Sequence, residues 1–320
     1  MRRMLLPLSF LVSLFFLHPS SFAQRLPSFE DFRSADRERR KTGQRQTADS
    51  LRLMRIDTNR VARLAAQNPN NPEILLGAAE LDGDWSAALA GGGTGVVVTL
   101  RFACASAVKR DYETALHWFR YCQTNDTGNL VPWLGELWVL RQQDKLTESF
   151  RPPESAKDYR DYAVPAARAR VRVLGALGYS PYVARRIGLM QNTFVESMAQ
   201  DLSRDSDVQK LAGPFLLNAA RAMQRRPTFL LTELVGQSLE RAVLAAKTDA
   251  KEEGSDKHFA DIDARREELK QLVGATERRT ADFATESDMV QYFDDVLGFG
   301  EEIAMKRLQL SVHGVPTEPR

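Results

Sequence analysis

The run from Val96 to Val108 constrains the fold more than any other stretch, because it is apolar on almost every side and only Thr99, Arg101 and Ser106 interrupt it. A helix without a polar face has to be buried all round, so the rest of the chain must supply elements that surround it. Val96-Val97-Val98 alone is compatible with a strand, but the Ala-rich FACASAVK that follows favours helix. Past a tight turn at Lys109–Asp111, Tyr112 to Cys122 reads as an antiparallel partner helix.

The other segments read as helices delimited by their stop signals. Asp49 to Gln67 carries a partial apolar stripe (Leu53, Ile56, Val61, Leu64). Asn68-Pro69-Asn70-Asn71-Pro72 ends it, since proline cannot donate and holds its predecessor extended. Pro72 to Leu81 and Trp85 to Ala90 flank a turn at Asp82-Gly83-Asp84, and Gly91-Gly92-Gly93 stops the second of them. Trp133 to Gln143 follows, then a short return over Leu146 to Phe150, cut by Pro152-Pro153. Asp158 to Leu174 is expected to kink or split at Pro165. Val183, Ile187, Met190, Phe194 and Met198 form the cleanest stripe, spaced for one face of one helix. Val208 to Arg225 contains Pro214; Pro227 to Lys247 and the charged Lys257 to Ala284 come next. Thr285 and Asp288 have capping-box spacing and open a last helix that Gly298 and Gly300 bend.

No segment alternates with period two between hairpin turns. The expected fold class is therefore all-α, with stacked helical hairpins followed by a C-terminal helical bundle, about ten helices in all. The expected organisation is a signal peptide over 1–23, a polar leader over 24–48 (flexible, or a loose solvated helix), a helical-hairpin region over 49–151, a C-terminal helical region over 154–312 and a tail over 313–320.

The signal peptide rests on Arg2 and Arg3, the apolar stretch Met4 to Leu17, and Ser21-Phe22-Ala23 as a cleavage site. It implies export, to the periplasm or the medium. No Cys follows the site, so no lipid anchor is expected there, and no later run is long and apolar enough to span a bilayer. Without Arg2 and Arg3, basic and acidic side chains (44 and 42 over the whole chain) are equal in number. That balance argues against nucleic acid as a partner, which calls for a basic face. The local clusters Arg37–Lys41 and Arg168, Arg170, Arg172, Arg185, Arg186 read as solvated helix faces.

Two stretches echo each other: Asp84-Trp85-Ser86-Ala87-Ala88-Leu89 and Asp111-Tyr112-Glu113-Thr114-Ala115-Leu116, with a weaker third beginning at Asp144. The fuller copy, KRDYETALHWFRYC, resembles the tetratricopeptide repeat through Tyr112, Ala115 and Phe119, with Ala103 as the small residue of the first helix. The resemblance covers about residues 72–151 with one full unit, and Arg110 stands where the family favours Gly. It implies a groove lined by one face of each first helix, here Val97, Leu100, Cys104, Ala107 and Val108, then Leu134, Trp138 and Arg141. From that set Leu100, Leu134, Trp138 and Arg141 are the candidate binding residues. The face is apolar, so either the C-terminal helices fill it or it takes an apolar helix. In the same register Ala103 faces Ala115, and Cys122 falls near Val96, about 12 Å along the helix from Cys104. Cys104 and Cys122 are thus expected to be unpaired.

No catalytic motif is present, and no HExxH or CxxC. Gly91-Gly92-Gly93-Thr94-Gly95 lacks the Lys and Ser or Thr of a phosphate loop and reads as a link. Asp294, Asp295, Glu301 and Glu302 cluster, but helical carboxylates of this kind are expected to be solvated rather than metal-bound. The expected protein is non-catalytic, needs no cofactor or metal, and binds another protein. The alternatives are an apolar-ligand or lipid binder, using the Val97–Val108 and Trp138 surface, and an enzyme whose site carries no motif.

Overall fold

The structure, a computed structural model, describes residues 26–42, 53–91, 95–147, 150–190, 194–225, 227–247, 255–282 and 285–311. The expected signal peptide, residues 92–94 of the GGGTG link and the expected tail lie outside the described residues. Among the described residues there are fifteen helices and no strand, so the fold is all-α. None of these helices is long and apolar enough to cross a membrane.

The chain divides into two compact units between Asp57 and Thr58. In the first, the polar leader forms α1 (Phe29–Thr42). Its start is a reciprocal cap: the Asp31 N–H donates to the Ser28 hydroxyl, and the Ser28 N–H donates to the Asp31 carboxylate at 2.8 Å. Glu30 and Asp31 in the first turn complement the helix dipole.

The second unit runs α2 (Thr58–Gln67), α3 (Pro72–Asp82), α4 (Ser86–Ala90), α5 (Val96–Val108), α6 (Tyr112–Asn125), α7 (Val131–Gln142), α8 (Ala163–Ala176), α9 (Pro181–Gly188), α10 (Phe194–Arg204), α11 (Ser206–Arg225), α12 (Leu230–Lys247), α13 (Ser255–Asp282), α14 (Glu286–Phe299) and α15 (Glu301–Ser311). α5 is surrounded, as its composition requires: Val98 through Arg101, Ala103, Cys104, Ser106 and Ala107 are all buried. It packs on α6, which packs on α7. α10 lies against α5, α7, α11 and α12. One core cluster joins Leu100, Phe119 and Leu137 to Met198, Leu216 and Leu239, so it runs across Pro152 and Pro153.

Local chemistry accounts for the element ends. The Asn71 side chain accepts from the Ile74 N–H, with Pro72 leading the helix, and Gly83 at φ +79° closes α3. Arg110, at φ +61°, makes the α5–α6 turn in the position where a glycine is easiest. Each of these left-handed residues directly precedes an Asp-aromatic pair, Asp84-Trp85 or Asp111-Tyr112. The Thr285–Asp288 capping box opens α14 as expected.

Five expected helices change shape. Asp49–Gln67 is not continuous, because Arg55–Asp57 are non-helical and α2 begins at Thr58. The return over Leu146–Phe150 does not form over Leu146, Thr147 and Phe150; Asp144 at φ +52° turns the chain out of α7. α8 starts at Ala163 rather than Asp158, because Tyr162 is left-handed at φ +56°. Pro165 then sits in the first turn of α8, where its missing N–H leaves no bond unmade. The stripe from Val183 to Met198 belongs to two helices, and Met190 between them is 37% exposed. Gly300, at φ +94°, divides the last expected helix into α14 and α15. The Glu301 N–H there donates to the Thr228 carbonyl at 2.7 Å.

α3 and α8 approach closely at Gly77, where a Cβ would stand 2.2 Å from the Ala169 carbonyl oxygen. Backbone cannot yield as a side-chain tip can. Gly77→Ala is expected to lower unfolding free energy by about 2 kcal/mol, despite alanine's better helix propensity. Denaturant unfolding checks this, and a variant as stable as the parent overturns the close approach.

Candidate functional site

α5 carries Arg101 into the interior because its neighbours in the run are apolar. Arg101 is 3% exposed and forks onto Glu80 of α3, with Nε–Oε1 2.6 Å and Nη2–Oε2 2.9 Å. A second guanidinium, Arg170 of α8, donates to the same carboxylate at 2.6 Å. The Glu80 side chain is 4% exposed. Burial alone would raise its pKa, but Arg101 and then Arg170 outweigh that and hold it at about 2. Burial depresses Arg170, with Arg101 adding to the depression and Glu80 opposing it.

Arg170 also explains why α9 stops. Its Nε donates to the Gly188 carbonyl at 2.8 Å and its Nη2 to the Met190 carbonyl at 3.2 Å. The carbonyls at a helix C-terminus lack partners and carry partial negative charge. They supply acceptors for a cation that Glu80 already shares with Arg101. Arg170 is 6% exposed, so it is not part of a solvated basic face as the sequence led us to expect.

Across the same interior, Glu196 in the first turn of α10 is 5% exposed and accepts a 2.7 Å hydrogen bond from the Thr232 hydroxyl of α12. Burial, then the negative charge of Asp161, raises its pKa to about 7, against the Thr232 bond. Asp161 precedes α8, and its Oδ1 accepts from the Ala163 N–H. The Tyr159 hydroxyl lies 3.5 Å from Asp161 Oδ2, and burial with the charges of Glu196 and Asp161 raises its pKa well above the ordinary value. The segment holding Tyr159 and Asp161 is pinned by Asn129, itself fully buried. Its Nδ2 donates to the Arg160 carbonyl, and its Oδ1 accepts from the Arg160 and Val131 N–H groups. Chemically the cluster holds fixed positive charge at one end and, at the other, a carboxyl able to exchange a proton near neutrality.

The four candidate binding residues are not gathered on an open face. Leu100 and Leu134 are fully buried, and α10 of the same chain covers α7. The Trp138 indole N–H donates to Asp201 of α10 at 3.2 Å, and its ring meets Phe194 edge-on at 5.3 Å. Arg141 pairs with Asp205, which also accepts the Asp207 and Val208 N–H groups at the start of α11. Cys104 and Cys122 are unpaired buried thiols, pushed up to about 12 and about 11 mainly by burial. Cys122 Sγ lies 3.2 Å from the Thr99 hydroxyl.

The acidic cluster of α14 and α15 is also more structured than expected. Asp295 pairs with Arg307 at 2.9 Å, Glu302 with Arg265 at 2.7 Å, and Asp294 with Arg185 at 2.7 Å. Glu301 accepts the Leu230 N–H and so caps α12. An open cleft of about 370 Å³ between α3, α8 and α14 is lined by Glu73, Arg168, Val171, Arg172, Asp294 and Leu297. Its Arg172 pairs with Glu73, and its Arg168 donates to the Leu297 carbonyl.

Glu80, Arg101, Arg170 and Glu196 were missed as a group because they come from four separate helices. One signal was present. An arginine inside an otherwise apolar, all-round buried helix requires a buried carboxylate partner. Set against known proteins, the chain matches no family model, no curated protein and no solved structure.

Proposed function

We propose that this is an exported, non-catalytic helical protein that binds another protein at the elbow between α14 and α15. The observation that carries this reading is a pair of large apolar side chains left in solvent there, Phe299 (55% exposed) and Ile303 (45% exposed). Ile303 and Arg307 are one turn apart on α15, and the Arg307 guanidinium lies 4.0 Å from the Phe299 ring centroid. An apolar patch with a charged rim is the usual composition of a protein contact. α10 covers the face that a ligand would need beside Trp138, which favours a partner over an apolar ligand. The left-handed residue before each Asp-aromatic pair supports the tetratricopeptide-like reading of α3 to α6. The N-terminal basic and apolar segments support export.

Affinity capture from an envelope fraction tests the proposal, comparing the parent with a Phe299→Asp/Ile303→Asp variant. Both positions are exposed, so folding is expected to change by less than about 1 kcal/mol. The variant is expected to lose at least tenfold of any specific partner. Equal recovery by both proteins, or no specific partner with either, overturns the reading.

A further inference from the structure

Among the described residues, the buried carboxylates of the second unit follow a rule with one departure. Glu80 has Arg101 and Arg170, Glu136 has Arg120, Glu233 has Arg265, Glu240 has Arg221, and Asp295 has Arg307. Among the described residues, Glu196 falls within the same range of exposure (5%, against 3% for Glu240 and 7% for Glu136), yet its bond is to a hydroxyl rather than a cation. A buried carboxylate without a counter-cation carries a large desolvation penalty when ionised and little when protonated.

The groups that face Glu196 act on the anion in both directions, and burial with the charge of Asp161 prevails. The loop before α8 brings the Asp161 carboxylate and the Tyr159 hydroxyl; α12 brings Thr232. α5 brings Arg101, but its guanidinium is already forked onto Glu80. Of the charges on α7 and α11, Arg141 and Asp207 lie at the opposite end of α10, around Asp205, while Glu136 and Arg221 are paired with Arg120 and Glu240. Glu196 lies in the first turn of α10.

We propose that Glu196 is a proton-operated latch for the first turn of α10: protonated, it holds that turn against α12; ionised, it opposes Asp161 without a counter-cation and the turn loosens. The readout is at hand. Trp138 touches α10 twice, through Phe194 two residues before Glu196 and through Asp201. Its indole resonance therefore reports the seating of α10.

The test is an NMR pH titration of the full chain from about pH 5.5 to 8.5, following the indole N–H assigned with Trp138→Phe. The resonance is expected to move with one midpoint near pH 7. Glu196→Gln is expected to abolish the movement. Asp161→Asn keeps an oxygen for the Ala163 N–H and is expected to lower the midpoint by about one pH unit, by removing a like charge. Thr232→Val is expected to raise it, by removing a bond that favours the anion. Should Glu196→Gln fail to fold, the opposite shifts of the other two variants decide. A flat titration, a movement that persists in Glu196→Gln, or shifts in one common direction overturns the latch.

Discussion

Glu80→Ala is expected to lower unfolding free energy by at least about 4 kcal/mol, because it removes the carboxylate shared by two buried guanidiniums. Neither arginine can reach water without opening α5 or α8, and a buried cation left alone costs far more than the methylenes lost with the glutamate. For a unit of this length the corresponding fall in melting temperature is about 10 °C. The double variant Glu80→Met/Arg101→Met is expected to be more stable than Glu80→Met alone. It deletes both members of the fork, while Arg170 keeps the Gly188 and Met190 carbonyls. That recovery on adding a second mutation distinguishes an uncompensated charge from simple loss of packing. Unfolding by urea at neutral pH measures it, and a Glu80→Ala variant within about 1 kcal/mol of the parent overturns the burial of the triad.

Stability is expected to peak in mildly acidic solution, because Glu80 and Glu196 are shifted in opposite directions from the same ordinary value of 4.5. Glu80 is depressed to about 2 in the fold. Its contribution, about 3 kcal/mol, is fully present above pH 4.5 and is lost as the pH falls through 2. Glu196 is raised to about 7. Its contribution, also about 3 kcal/mol, is fully present below pH 4.5 and is lost as the pH rises through 7. Glu196→Gln is expected to remove the decline between about pH 4.5 and 7 and to leave the acid limb in place. Melting temperatures from about pH 3 to 8.5 test both limbs. A parent profile that does not fall between pH 4.5 and 7 contradicts the environment assigned to Glu196.

Element boundaries were readable wherever a side chain or a ring enforces them. Asn71 with Pro72, Ser180 with Pro181, and Thr285 with Asp288 each mark a helix start that the structure keeps. Proline, by contrast, misled. Pro165 looked like an internal kink and is a first-turn residue, because the true start depends on Tyr162 adopting a left-handed conformation held by its hydroxyl bond to Asp126 at 2.7 Å. Asp126 is distant in sequence, so no window around Pro165 contains that information. The stripe from Val183 to Met198 fails for a related reason. Its period continues through the break, but Arg170 satisfies the Gly188 carbonyl at the end of α9 and lets the chain leave the helix at Leu189.

The apolar face of α5 and α7 was legible as a set of residues and illegible as a surface. Leu100 and Leu134 are core because α10 covers them, and the identity of the covering helix depends on a chain reversal more than fifty residues later. The charged cluster was hidden more deeply. Arg170 and Arg172 are two residues apart in one Ala- and Val-rich run, yet the first is 6% exposed and the second pairs with Glu73 at the surface. Helical geometry separates them by about 200°, and only the position of α3 decides which of the two is inside.

By itself the sequence determined that α5 must be enclosed, that the chain must be helical, and where most of its helices are capped, because these follow from local side-chain chemistry and apolar periodicity. Only the tertiary structure decided that Glu80 would be shared by Arg101 and Arg170, that α10 would fill the face of α7, and that Glu196 would be buried with no cation bonded to it among the described residues. Those outcomes rest on distances between residues remote in the chain, and electrostatic energies inside a protein depend on such distances and on exclusion of water rather than on residue type.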